Sequence, residues 1–299
     1  MRGDGDGWAR SDDGIRHWGK FGAAGLLLRA PAADGTPTVL LQHRAQWSHQ
    51  GGTWALPGGA RDSHESTVHA AIREAEEEAG IPGCELRVRA ERVTSRASSG
   101  WSYTTVIADA AGPLTTVPNG ESTELRWVPE DEVSGLLLHP GFAASWPQLR
   151  STPVRLLLDT ANVLGSRPNG WWRDRAGATG ELLAALAATL PRTIELPDGG
   201  FGWLPRIEAV LEGQARTVTA VDARVPVHVA AGSGDDELAL LAGAGTELAM
   251  AAGGGVGHPA FGGADEHLTV VVTADRGLRE RLPETVVQLS PSTVLGWMD

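Results

Sequence analysis

Three glutamates carry the clearest chemical signal in this 299-residue chain: Glu74, Glu77 and Glu78, at i, i+3 and i+4. On a helix of about 3.6 residues per turn they fall within one sector of surface roughly 100° wide. Three like charges there repel one another and weaken an isolated helix. A hard divalent cation such as magnesium or manganese removes that repulsion, because such ions prefer carboxylate oxygens. Glu76 points to the other side of the same helix and stays outside the group. Arg44, at the end of an apolar run, is a candidate phosphate contact. Trp47, Trp54 and Trp101 are candidate stacking partners for a base. His43, His49, His64 and His69 are scattered and receive no role.

A second acidic set lies in the other half of the chain. Asp159 ends the apolar run TPVRLLLD, Asp235 and Asp236 follow VPVHVAAGSG, and Asp275 follows HLTVVVTA. Parallel α/β sheets build ligand sites at the carboxyl ends of their strands, so these acids are expected to converge on Mg²⁺ or Mn²⁺. The plainer role for each alone is capping the helix that follows.

Elements that position these groups are legible in outline. The first half reads as a strand hairpin (Phe21–Arg29 and Thr38–Arg44), a Gly-rich stretch QGGTWALPGG, and a helix from about Glu65 to Ala79 closed by Gly80 and Pro82. Val68, Ala71, Ile72, Ala75 and Ala79 recur at helical spacing as its core stripe. Strand-like runs follow at Leu86–Val93, Ser102–Ala108 and Glu124–Val128, then a short acidic helix after Pro129 and a last helix over Gly141–Arg150. The pattern restarts near residue 150. Helical segments at Thr179–Leu190, Asp235–Leu241 and Arg276–Leu282 alternate with strands at Thr217–Val221, Val225–Ala231, Leu268–Thr273 and Val286–Leu289, which predicts a parallel α/β layer fold. Three segments are therefore expected: a flexible leader over 1–14, a domain over 15–150 and a second over 151–299. Gly243–Gly263 reads as a mobile Gly-rich loop.

Composition narrows the classes. Hydrophobic residues make up 41% of the chain, enough for packed cores. The net charge is −12, and residues 151–299 hold 11 arginines against 18 acids, which disfavours a general polyanion binder. One cysteine, Cys84, excludes a disulfide framework and a cysteine zinc site. No run of 18 apolar residues and no apolar leader segment is present, so a cytoplasmic protein with no membrane contact is expected.

Residues 59–81, GARDSHESTVHAAIREAEEEAGI, resemble the Nudix box of the Nudix hydrolases. Gly59, Glu65, Arg73, Glu74, Ala75, Glu77, Glu78, Gly80 and Ile81 stand at its positions, with Ala75 small for the aliphatic slot. The resemblance covers about residues 15–150. It implies an α/β/α sandwich around a mixed sheet and Mg²⁺-dependent hydrolysis of a pyrophosphate bond in a nucleoside diphosphate derivative. The implied substrates include oxidised nucleoside triphosphates and ADP-ribose. Glu74, Glu77 and Glu78 are implied as metal ligands with the Gly59 carbonyl, Arg73 and Glu65 as an internal ion pair, and Glu121 or Glu124 as alternatives to a box glutamate for general base.

DTANVLG, GSGDDELALL and VVVTADRGLRERL are similar to PIN-like nucleases of the NYN branch, over roughly residues 153–290. That likeness implies a Rossmann-like sheet with a metal site that cleaves RNA. Asp159, Asp235 or Asp236, and Asp275 match its acids, Asn162 matches the asparagine after the first strand, and Asp174 is a guess for a fourth acid. The expected whole is a Nudix hydrolase fused to a ribonuclease-like domain. The alternative is a nucleotide sensor whose second half is a binding or oligomerisation module.

Overall fold

The computed structural model describes residues 3–11, 14–167, 170–251 and 267–298. The chain divides into two compact units, Met1–Ser151 with Gly199–Phe201, and Thr152–Asp198 with Gly202–Asp299.

The first unit opens with a two-stranded antiparallel hairpin, β1 (Trp8–Arg10) and β2 (Arg16–Trp18). Part of the segment read as a flexible leader thus carries a strand. Polar Gly/Asp composition suggested disorder, but these side chains are spent on specific ties. Asp4 accepts from the Ser63 amide at 2.9 Å and from its hydroxyl at 2.6 Å, and the Gly5 amide donates to Asp62 at 2.7 Å.

Seven strands follow in one mixed sheet: β3 (Ala23–Pro31), β4 (Pro37–Arg44), β5 (Trp54–Ala55), β6 (Gly58–Ala60), β7 (Arg87–Arg96), β8 (Ser102–Asp109) and β9 (Ser122–Pro129). The central strand β3 pairs parallel with β8 and antiparallel with β4 and β6. Side chains alternate across β3. Ala24, Leu26, Leu28 and Ala30 face α1 (Thr67–Ala79), while Leu27 joins Phe142, Trp146 and Leu149 of α2 (Pro140–Leu149). The sheet is thus covered on both faces, with an apolar layer on each. On α1 the buried stripe is Ala70, Ala71, Ala75 and Ala79. These small side chains let the helix lie close to the sheet, so the small residue at 75 is in keeping with its place.

Inside this unit Arg29 is fully buried and donates to Glu130 at 2.7 Å and to the Leu149 carbonyl. Glu130 also accepts from the Ser151 amide at 3.1 Å.

The second unit is built on β10 (Ser151–Asp159), followed by α3 (Thr160–Gly165), α4 (Arg175–Ala188), β11 (Arg192–Glu195), β12 (Phe201–Leu204), β13 (Ile207–Leu211), β14 (Val227–Val229), α5 (Gly234–Ala251), β15 (Leu268–Val272), α6 (Arg276–Arg281), β16 (Val287–Leu289) and α7 (Pro291–Leu295). Five of its strands are mutually parallel in the order β14–β13–β10–β15–β16, and β11 and β12 complete a seven-stranded sheet. Leu156, Leu158 and Val270 pack with α3 and α4 on one face; Leu157, Val210 and Val271 pack with α5 and α6 on the other.

Two expectations fail here. Thr217–Val221 is no strand: its start closes a 3-10 turn and the rest is irregular. Gly243–Ala251 is helical, continuing α5 despite its glycines, and the remainder of the expected Gly-rich loop, 252–263, lies outside the described residues.

A buried arginine without its partner is costly, roughly 3–5 kcal/mol for a pair broken on one side. Glu130→Ala is therefore expected to lower stability by about that amount in chemical denaturation, and the joint replacement Arg29→Met with Glu130→Leu to recover most of the loss.

Candidate active site

Helix α1 begins and ends cleanly. The Ser66 hydroxyl accepts from the His69 amide at 3.1 Å, and Gly80 closes the helix at φ 68°, a left-handed conformation glycine adopts without steric cost. Between these caps Glu74, Glu77 and Glu78 share one side, while Glu76 is exposed elsewhere.

The two glycines of β6 meet that side directly. The Gly58 amide donates to Glu78 Oε2 at 2.8 Å. A Cβ placed on Gly59 would stand 2.6 Å from Glu74 Oε1, so any side chain there collides with the carboxylate. Gln42, also buried, donates to Glu78 Oε2 at 3.0 Å and to the Leu56 carbonyl, and accepts from the Ser122 hydroxyl at 2.6 Å. Arg73 forms the expected ion pair with Glu65, at 2.7 and 3.0 Å, and adds the Ala60 carbonyl at 2.9 Å. It also reaches Glu74 at 2.8 Å and Glu77 at 3.5 Å. One guanidinium thus joins the loop ahead of the helix to the carboxylate face.

The electrostatics of this face are unsettled in a telling way. Burial pushes Glu78, only 4% exposed, up to about 8, helped by the charges of Glu74 and Glu121 against the Gly58 hydrogen bond. Burial likewise pushes Glu74 up to about 7, with Arg73 opposing and Glu77 and Glu121 adding to it. Glu65 goes the other way, held down chiefly by its hydrogen bonds from Arg73. Glu78, the partly buried Glu74 and the half-exposed Glu77 are carboxylate donors on one side of α1, the ligand type that a divalent cation prefers, with Arg73 bridging Glu74 and Glu77.

Arg44 lies at the bulged end of β4, donates to the His49 carbonyl at 3.1 Å, and its charge lowers Glu78. Of the two later acids, Glu121 is the one whose charge acts on Glu74 and Glu78. It is carried by a loop in which Asn119 binds the Glu77 and Glu78 carbonyls at 3.2 and 3.3 Å. Glu124 instead faces His43 across β4 and β9 and forms an exposed pair with Arg126 at 3.6 Å. Its sequence position, two strand residues past the loop that carries Glu121, gave no means of separating the two. Trp54 is buried under Arg126, Trp47 is 73% exposed, and Trp101 is fixed by stacking on His17 at 4.5 Å.

The chain matches the NUDIX domain model over residues 20–150. It is 53% identical over 207 residues to the "Putative 8-oxo-dGTP diphosphatase 3" of Mycobacterium tuberculosis, an alignment that covers 68% of this chain and 85% of that protein. The chain belongs to the Nudix hydrolases. Within this family it is a pyrophosphohydrolase. A "Nucleoside triphosphate pyrophosphatase/Nudix hydrolase fusion protein" of Bifidobacterium longum is 41% identical over 150 residues, covering 48% of this chain and 30% of that protein. The crystal structure of RenU, a Nudix hydrolase from M. smegmatis, is 65% identical, with a TM-score of 0.47, covering 48% of this chain and 91% of that one. Among the described residues no helix of this Nudix protein is long and apolar enough to cross a membrane.

In the second unit Asp159 ends β10, Asp235 lies in the first turn of α5 and Asp275 follows β15. Asp159, 7% exposed, accepts from the Asn162 amide at 3.0 Å and from the Thr273 hydroxyl at 2.7 Å, and Asn162 in turn accepts from the Ala274 amide at 2.8 Å. Burial raises Asp159, and the charges of Asp235 and Glu212 add to this. Burial also raises Asp235, reinforced by Asp275 and Glu212. Asp159 and Asp275 both cap helices, α3 and α6, whereas Asp235 sits inside the first turn of α5. Asp236 is turned outward to Arg281 at 2.6 Å. Asp174 caps α4 through the Gly177 amide at 2.9 Å and is not among the charges felt by Asp159 or Asp235. Another acid whose charge acts on both Asp159 and Asp235 is Glu212, which follows β13 and accepts from the Gly234 amide at 2.8 Å. Its strand went unrecognised in the sequence; the signal was the short run IEAVL just before it, apolar but for Glu208.

The raised carboxylates set a pH dependence. Glu74 and Glu78 hold protons in the folded protein that the unfolded chain has released above its ordinary value of 4.5. The folded state then binds more protons, so stability falls as pH rises from 4.5 through about 7 and 8. Melting in EDTA should show this decline, and Glu78→Gln should flatten it. With Mg²⁺ present, stabilisation should instead grow over the same range, because the ion takes the deprotonated form.

Proposed function

We propose that the first unit hydrolyses the pyrophosphate bond of a nucleoside triphosphate, with oxidised purine nucleotides as the preferred class. The observation that carries this reading is the meeting of Glu74 and Glu78 with the glycine pair Gly58–Gly59. The 8-oxo-dGTP diphosphatase relative supports the substrate class. Glu74, Glu77 and Glu78, with the Gly59 carbonyl, would hold Mg²⁺ or Mn²⁺, which neutralises phosphate oxygens and orients water. Arg73 keeps Glu74 and Glu77 in position while holding the box loop through Glu65. Arg44 binds a phosphate oxygen. The Glu121 carboxylate takes the proton from the attacking water, a role that its charge on the Glu74–Glu78 pair favours over Glu124. The expected setting is the cytoplasm.

For the second unit we favour a PIN-like, Rossmann-like domain over residues 151–299, with 15–150 as the Nudix domain. Its support is the parallel order β14–β13–β10–β15–β16 with acids after four of those strands. Asp159, Glu212, Asp235 and Asp275 would hold Mg²⁺ or Mn²⁺ for RNA cleavage, with Asp236 paired outward.

A panel of nucleotides with Mg²⁺, read by release of phosphate or pyrophosphate, tests the first proposal. Glu77→Gln and Glu78→Gln should each cut turnover by about a hundredfold or more, the range set by losing a charge that stabilises the transition state. Glu121→Gln should cost far more than Glu124→Gln. Near-normal turnover in Glu77→Gln and Glu78→Gln at saturating Mg²⁺ would refute the assignment. For the second unit, cleavage of single-stranded RNA by the full chain with Mn²⁺ should vanish in Asp159→Asn and Glu212→Gln and persist in Asp236→Asn.

A further inference from the structure

The ordered N-terminal hairpin leaves a cleft of about 340 Å³ between itself and the turn joining β7 to β8. Arg10, Lys20, Phe21 and Trp101 line it, with the backbone of Gly22 and Gly100. This volume lies within the ordinary range for small-molecule sites, about 300–1,000 Å³. Two cations and two aromatic rings around one space are an unusual grouping on a chain of net charge −12. Lys20 is the chain's only lysine.

Trp101 and Lys20 are held in place by named contacts. Trp101 stacks on His17 at 4.5 Å with the rings 21° apart, and its indole N–H donates to the Gly19 carbonyl at 3.0 Å and the Trp18 carbonyl at 3.2 Å. Phe21 is 42% exposed, so a large apolar ring is offered to solvent. Arg10 stands directly opposite Arg16 in the hairpin, and like charges so placed repel unless an anion joins them. Lys20 donates to the Asp4 carbonyl at 3.1 Å. Beneath the cleft the Phe21 carbonyl accepts from Arg61 at 2.6 and 3.1 Å, and the Arg61 amide donates to the Gly22 carbonyl at 3.0 Å. Arg61 belongs to the loop that leads to Glu65, and Asp4 and Gly5 tie the hairpin to its next residues, Asp62 and Ser63.

The geometry points to this cleft as a nucleotide subsite: a base packs against Phe21 and Trp101, and a phosphate sits between Arg10 and Lys20. Aromatic rings suit any base through stacking, and arginine with lysine suits phosphate. The site rests on the nucleotide-hydrolase reading only for its ligand class; its residues are all separate from the carboxylate helix.

Guanosine monophosphate and inorganic phosphate serve as probes, titrated calorimetrically into the full chain in EDTA, where the metal face cannot hold phosphate. The monophosphate should bind, and inorganic phosphate should bind more weakly. Arg10→Ala, Lys20→Ala and Phe21→Ala should each weaken monophosphate binding at least tenfold with melting temperature little changed. Phe21→Trp should restore it. Glu77→Gln should leave it intact. No binding in EDTA, or binding lost in Glu77→Gln and kept in the cleft variants, would overturn the subsite. Hydrolysis by the wild type that persists alongside such a result would leave the catalytic reading standing. Binding without any hydrolysis would separate the two the other way.

Discussion

Everything at the Nudix face depends on the close approach of Gly58 and Gly59 to the carboxylates of Glu78 and Glu74. The approach is possible because β6 lacks side chains at those positions and because the alanines beside these glutamates on α1 let the helix settle against the sheet. Its cost is the burial of two acids that would rather be hydrated. The protein meets this partly with the Gly58 amide, Gln42 and Arg73, and leaves the remainder as raised proton affinity. Carboxylate oxygens held with raised proton affinity are also the ligand type that a small hard cation prefers.

The first unit was legible because its chemistry is written in consecutive residues. The Glu74–Glu77–Glu78 face, the Arg73–Glu65 pair and the helix stop at Gly80 all follow from spacing along one helix or from the box. Its neighbours were less legible. Gln42 lies 36 residues from Glu78, and its role depends on how β4 lies in the sheet. Glu121 and Glu124 differ by three residues in a loop running into β9, and only the fold tells them apart. Residues 1–14 read as loose because they have no apolar pattern of their own, whereas Asp4 and Gly5 are tied to Ser63 and Asp62, more than 40 residues away.

In the second unit the sequence marked the acids that follow obvious apolar strands and missed the one that follows a short strand. Glu212 is preceded by IEAVL, of which every residue is buried, so no alternation marks it. Asp236 was grouped with Asp235 because the two are adjacent, yet neighbouring residues at the start of a helix diverge by about 100°. That rotation sends Asp236 to Arg281. Capping and clustering were posed as rival roles for these aspartates, but Asp159 and Asp275 cap their helices and also belong to the cluster.

The pairing of β10 has a consequence for how the second unit comes into being. Val154 to Leu158 pair with Leu268 to Val272, across more than a hundred intervening residues. During synthesis on the ribosome the middle strand of this sheet therefore waits, one edge unfilled, until more than a hundred further residues have been made. Long-range parallel pairing of this kind is slow and leaves apolar strands open to the wrong neighbour. The yield of active protein should then be sensitive to translation speed and to chaperone supply through this unit, while the β3–β4 hairpin, closed within a few residues, is indifferent to both.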